Sequence, residues 1–270
     1  MKPKTTDTLQ RPESPLLLIG ITGGIASGKS YVCAQLEQAG HTVFYCDSEA
    51  KRIIRTDPEV RRQLSRLVGS DLYDAQGQLV KSKLAAWLCK GKAHAAQVDA
   101  IVHPRVAEAF ARRASELSAD WESGLPARLK EHGLPARQWE GELPARQWEG
   151  ELPARHKEYG LPARQHDAGR KPALPEALFP PFPHKQLDSV QQLICLPPQR
   201  VLFMECALLF ESGFDRLVDC SLLIHVSAST QLQRLMARDH ISESKAHEWM
   251  ALQLSEEQKL ERADYVLDND

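Results

Sequence analysis

The sequence predicts an α/β fold in three layers, a parallel sheet with helices on both faces. Three observations carry that prediction. Unbroken apolar runs at 16–21 and 201–204, with the largely apolar stretch 220–229, read as strands buried on both faces. The first run feeds straight into a glycine-rich loop and then a helix-forming stretch, the strand–loop–helix order of a βα unit. Two of the predicted strands end in a carboxylate, Asp47 and Glu205, at the edge where open parallel sheets bind ligands.

The loop is "GGIASGKS", with Gly23, Gly28, Lys29 and Ser30 at the fixed positions of G-x-x-x-x-G-K-[ST]. Gly23, Gly24 and Gly28 carry no Cβ and accept positive φ, so the backbone can curl around an anion. The N–H groups of Gly23, Gly24, Ile25, Ala26, Ser27, Gly28, Lys29 and Ser30 then line one concavity. A helix predicted over 29–38 brings about half a positive charge to that concavity, and Gly40 is its stop. In this motif the lysine reaches the β- and γ-phosphates and the Ser30 hydroxyl ligates Mg2+. The prediction is a P-loop nucleoside-triphosphate-hydrolase fold holding a nucleoside triphosphate. The loop does not say what receives the phosphate.

The second strand, over 41–47, places Asp47 one helix after the loop, so both face one crevice. Transfer to a hydroxyl calls for a carboxylate near the acceptor, to orient it and take its proton. Asp47 fits that role and equally fits capping of the next helix, "SEAKRIIR"; the local residues leave both readings open. Arg52 and Arg55 read as solvated surface before they read as contacts to a phosphorylated acceptor. Glu205 ends its apolar strand as a Walker B acid does, positioning Mg2+ directly or through water. Past the strand at 220–229, helices are predicted over 230–238 and 242–258, with Ser242 as an N-cap, and a short strand closes the chain. Arg234 and Arg238 share a helical face there, where a mobile lid would bring charge to the γ-phosphate; Arg238 is the stronger candidate.

The composition excludes some classes of function. The 270 residues suit one or two domains, and a net charge of -2 argues against a general nucleic-acid binder. No run reaches the roughly eighteen apolar residues of a membrane span. The polar stretch 1–15 lacks an apolar signal core and reads as a flexible tail. Six scattered cysteines without a C-x-x-C pair read as reduced thiols, several of them in the core, of a cytoplasmic protein.

Between the second and third strands stands a different kind of sequence. "LPAR" recurs at Leu125, Leu134, Leu143, Leu152 and Leu161, each copy nine residues after the last. A proline in every copy interrupts any helix and pushes the preceding leucine towards extended geometry. The stretch 171–185, "KPALPEALFPPFPHK", is proline-rich and reads as polyproline II or coil. The expectation is a disordered low-complexity insertion over 120–198 in a discontinuous domain formed by 16–119 and 199–270. Neutral expansion of a surface loop is the plainer account, and Trp121, Trp139 and Trp148 are the anchors on which an unknown protein partner would act.

The order of these pieces resembles one family, the dephospho-CoA kinases. The resemblance rests on "GITGGIASGKS", "DSEAKRI", "IVHPRV", "ECALLFESGF", "QLQRLMARD", Gln253 and "ADYVLDN", in the family's order and over essentially everything outside the insertion. It implies a P-loop kinase with a helical acceptor-binding region and a lid, moving the γ-phosphate of MgATP to the ribose 3′-hydroxyl of dephospho-CoA, the last step of coenzyme A synthesis. Asp47 becomes the acceptor-activating carboxylate, Gly23 to Ser30 the ATP site and Arg238 the lid arginine. His103, in the "HP" pair, reads as a capping or core histidine before it reads as an acceptor contact. The chain departs from the family in three side chains or segments: Tyr45 where many members carry a carboxylate, Ala207 where many carry proline, and the repeats. Members usually continue beyond the position of Asp270 into a terminal helix, which implies uncovered apolar surface on the last strand or the first helix. Two other readings compete: a kinase of another small acceptor such as a nucleoside, nucleotide or sugar acid, and a nucleotide-binding interaction protein that recruits partners through the repeats.

Overall fold

The computed structural model describes residues 16–124 and 185–270; the tail and the repeats from Leu125 onward lie outside the described residues. Along the chain run β1 (Leu17–Thr22), α1 (Lys29–Gln38), β2 (Thr42–Tyr45), α2 (Cys46–Thr56), α3 (Pro58–Val68), α4 (Lys81–Leu88) and α5 (Lys92–Gly124). Beyond the repeats come β3 (Gln186–Leu187), α6 (Gln191–Ile194), β4 (Val201–Glu205) and β5 (Cys220–His225). The chain ends with α7 (Ala228–Asp239), α8 (Glu243–Met250), α9 (Glu256–Arg262) and β6 (Tyr265–Asp268). The strands form one sheet in the order β2-β4-β1-β5-β6-β3, and every pairing is parallel.

Alternation along the strands divides the core in two, because successive side chains leave opposite faces of a sheet. Leu17, Ile19 and Ile21 of β1, with Phe203 of β4 and Ile224 of β5, pack against Val32, Cys33 and Leu36 of α1. On the other face Leu18, Leu202 and Met204 meet Ile53 of α2, Leu64 of α3, and Val106 and Phe110 of α5. That is the three-layer parallel architecture the apolar runs predict. The second face carries the helices α2 to α5, the expected acceptor-binding region.

The strand predicted over 220–229 ends at His225, and Ala228 and Ser229 already belong to α7. Three further boundaries differ from the sequence reading. Residues 120–124 continue α5, and 185–198, assigned to the insertion, belong to the fold. Gln186 and Leu187 pair with Val266 and Leu267 of β6, and Leu187, Leu193 and Leu196 are buried beside β5 and β6. The prolines of 171–185 masked a short apolar pattern just beyond them. Secondly, the strand predicted over 41–47 stops at Tyr45, so Asp47 lies in the first turn of α2. Its carboxylate sits at a helix N-terminus, where the dipole favours negative charge.

Thirdly, the helix expected over 242–258 is two helices. Ser255 accepts from the Gln258 N–H while the Gln258 side chain accepts from the Ser255 N–H, a capping box that starts α9 afresh. The last strand is covered, with Val266 and Leu267 both buried; on the first helix Tyr31 is 66% exposed.

Candidate active site

The phosphate loop leaves β1 after Thr22 and enters α1 at Lys29, as the motif requires. Gly28 caps α1 at φ 93°, a left-handed conformation that favours glycine, and no side chain caps the helix. The N-terminal N–H groups of α1 are therefore left to a ligand. Gly24 and Gly28 are also needed for space. A Cβ on Gly24 would lie 2.3 Å from Gln231 Nε2, and one on Gly28 would lie 2.2 Å from Asn269 Nδ2.

Lys29 is 8% exposed and donates through Nζ to the carbonyls of Gly23 and Gly24, both at 3.0 Å. Burial holds its pKa below the ordinary lysine value, against the pull of the Glu205 charge. Glu205 lies across the sheet register from both neighbours, paired with Ile21 of β1 and Tyr45 of β2. Burial raises its carboxyl above the ordinary value; the Lys29 charge opposes the rise and the Asp47 charge adds to it. The loop lysine and Asp47 thus both act on the strand-end acid at the carboxyl edge of the sheet.

Both shifts mark a site short of its counter-charges. A triphosphate relieves Lys29, and a cation relieves Glu205. The oxygen donors present, a carboxylate on Glu205 and the exposed Ser30 hydroxyl, suit a hard cation such as Mg2+. Among the described residues no cluster of three or more His, Cys, Asp or Glu could hold a metal. Mg2+ is commonly bound through one or two protein groups, with water and the substrate's phosphates completing its shell.

The acceptor side is looser. Asp47 is 73% exposed and pairs with Lys51 at 2.5 Å, one turn along α2. Arg52 clamps Glu49 through Nε at 2.9 Å and Nη2 at 2.6 Å, a surface pair as expected. Tyr45, the departure from the family pattern at the end of β2, is half-buried; burial first, then its hydrogen bond to Glu37, pushes the phenol up. His103 lies within α5 against the Phe214 ring, with centroids 5.2 Å apart, and its Nε2 is 3.6 Å from Asp99. That is a packing role in the helical region.

The structure does not bring Arg238 to the loop. It lies in the last turn of α7, 55% exposed, with Nε and Nη2 both donating to Asp239. Arg234 instead donates to the Asn269 carbonyl at 2.9 Å, tying α7 to the end of β6.

Three side-chain amides hold the loop from outside. Gln253 Oε1 accepts from the Ile25 N–H at 2.9 Å, Gln231 Nε2 donates to the Ile25 carbonyl at 2.8 Å, and Asn269 Nδ2 donates to the Ser27 carbonyl at 2.9 Å. Gln231, which opens "QLQRLMARD", Gln253 and Asn269 all fall in segments that carry the resemblance, yet the sequence assigns none of them a role.

The comparisons with known proteins agree with this geometry. The family model described as CoaE, dephospho-CoA kinase, matches residues 17–125 and 165–270, leaving most of the repeats unmatched. A protein of Bacteroides fragilis named dephospho-CoA kinase is 31% identical over 252 residues, covering 93% of this chain and 84% of that relative. One of the same name from Salinibacter ruber is 27% identical over 252 residues, covering 93% of this chain and 88% of its own length. Among solved structures, TT1252 from Thermus thermophilus superposes with a TM-score of 0.55 at 22% identity, over 94% of this chain and 89% of that one.

Proposed function

Because the chain belongs to the dephospho-CoA kinase family, we propose that it transfers the γ-phosphate of ATP to the 3′-hydroxyl of the ribose of dephospho-CoA, completing coenzyme A. The observation that carries this reading is the joint placement of the P-loop lysine and two carboxylates at the carboxyl edge of the sheet, beside the helices α2 to α5.

In this mechanism the loop amides and Lys29 bind the triphosphate, and the N-terminus of α1 adds its partial positive charge. Ser30 and Glu205 would hold Mg2+, which would supply charge neutralisation to the phosphates. Asp47 orients the acceptor hydroxyl and takes its proton as the oxygen–phosphorus bond forms and the bond to the leaving ADP breaks. Arg238 joins the γ-phosphate only when α7 and α8 close over the nucleotide, exchanging Asp239 for phosphate oxygens. The helices α2 to α5 take the acceptor. Among the described residues no helix is long and apolar enough to cross a membrane, and the six cysteines are free, which supports work in a reducing cytoplasm.

Incubation with ATP, Mg2+ and dephospho-CoA should yield coenzyme A, read as one added phosphate by mass. Turnover of nucleosides or sugar acids in place of dephospho-CoA would overturn the assignment of the acceptor. Neither competing reading has an observation in its favour. The repeats lie outside the catalytic unit: deleting 126–164, which the family model leaves unmatched, should keep the fold and the activity. A deletion carried on to 197 should not, since it also removes Leu187, Leu193 and Leu196 from the core. Each such leucine is worth about 2–5 kcal/mol.

A further inference from the structure

The peptide group of Ile25 is bonded on both sides by side chains from elsewhere in the chain. Its N–H goes to Gln253, in the turn between α8 and α9, and its carbonyl to Gln231, on α7. Gln253 has a second bond: its Nε2 donates to the Ala207 carbonyl at 3.3 Å, two residues past Glu205. Directly after Ile25, Ala26 stands at φ 62°, in the left-handed region, which a residue with a Cβ enters at a cost. Such a conformation persists where its surroundings over-determine it.

We propose that Gln253, acting with Gln231, is a positioning residue for the donor nucleotide. It sets the plane of the Ile25 peptide, and with it the turn at Ala26, and so aims the following loop amides at the phosphates. Through Ala207 it also fixes the distance between that turn and the segment bearing Glu205. Gln231 comes from α7 and Gln253 from the turn after α8, so the expected lid and the loop share one hydrogen-bonded unit. Gln231 is 6% exposed, and its amide fills the space left by the absent Cβ of Gly24. Replacing it with alanine vacates that space and removes the donor to the Ile25 carbonyl.

The proposal rests on the P-loop reading of the ATP site, and the test separates the two. In the full chain, Gln253→Ala should raise KM for ATP about tenfold, with KM for dephospho-CoA within about twofold. Gln231→Ala should do the same. The double variant should be no worse than about the poorer single, because either loss already frees the same peptide. Equal rises in both KM values, an unchanged KM for ATP, or losses that multiply in the double variant would each overturn the proposal. Lys29→Ala is the control: if it leaves ATP binding by calorimetry untouched, the P-loop reading itself fails. If Lys29→Ala abolishes binding while both glutamine variants bind normally, the positioning role alone fails. Should Gln253→Ala not fold by thermal melting, Gln231→Ala carries the same test from the other side of the peptide.

Discussion

On the donor side of the crevice Lys29 is buried and bonded within the loop to two carbonyls, and part-buried ties run over long stretches of chain, Ile25 to Gln231 and Gln253 and Ser27 to Asn269. On the acceptor side Asp47 is exposed and bonded one turn away to Lys51, and Arg52 is bonded to Glu49 on the same helix. The first region is assembled before any ligand arrives. The second holds its charges in short local pairs of the kind that contribute little and exchange readily. The contrast suits an enzyme that must hold a triphosphate in one geometry and then admit and release a large acceptor.

The largest effect belongs to the donor side. Lys29→Ala should lower kcat/KM by about a thousandfold or more and weaken ATP binding as well. Both follow because the lysine meets phosphate in the ground state and in the transition state. Asp47→Asn should lower kcat by about a hundredfold, within the range of general-base losses, while ATP affinity stays near wild type. Steady-state kinetics with ATP calorimetry checks both. An Asp47 variant with full turnover would remove the asymmetry by taking that carboxylate out of the chemistry.

Gly28→Ala comes next. The new Cβ would face Asn269 Nδ2 at 2.2 Å in a left-handed backbone, so the tie to Ser27 must give way. Thermal or chemical unfolding should show a loss of about 1–3 kcal/mol, with weaker ATP binding. An alanine placed in α2 beside Asp47, such as Ser48→Ala, should have no comparable cost.

The same division governed what could be read without coordinates. The donor half rests on short-range patterns: the loop spacing, the apolar run before it and the helix over 29–38, which the structure reproduces. What stayed hidden depends on contacts between distant residues. Nothing about Gln231 in sequence says that its amide reaches Ile25, 206 positions away. The strand β3 is two residues long and gains its order from β6, so its local composition carried no period to recognise. The break before α9 is a different matter. "SEEQ" at 255–258 is a capping box written in the sequence, passed over because helical residues continued on both sides. That break frees Gln253 to turn back to the loop.

Glu205 gives a smaller effect with a defined sign. Its folded pKa is raised above its unfolded value by burial, so its contribution to stability is fully present below the ordinary value of 4.5 and is lost as pH rises through the folded pKa. In nucleotide-free protein, Glu205→Gln should therefore melt progressively higher than wild type as pH climbs across that window. With Mg2+ and ATP present the order should reverse, since the wild-type carboxylate then has its counter-charge and the amide does not. Melting curves at several pH values, with and without MgATP, check this.

The smallest effect tests whether the acceptor side is as loose as its geometry. Lys51 and Asp47 are both largely exposed and lie i, i+4 on α2, and such pairs contribute roughly 0–1 kcal/mol. Lys51→Ala should therefore leave the melting temperature nearly unchanged. Its influence on turnover has a definite direction. In the free enzyme the ammonium competes with the acceptor hydroxyl for the Asp47 carboxylate, so its removal should lower KM for dephospho-CoA slightly or leave it alone, with KM for ATP unmoved. A strong loss of activity would mean that Lys51 itself grips the acceptor. The acceptor half would then be as prebuilt as the donor half, and the contrast between the two would not hold.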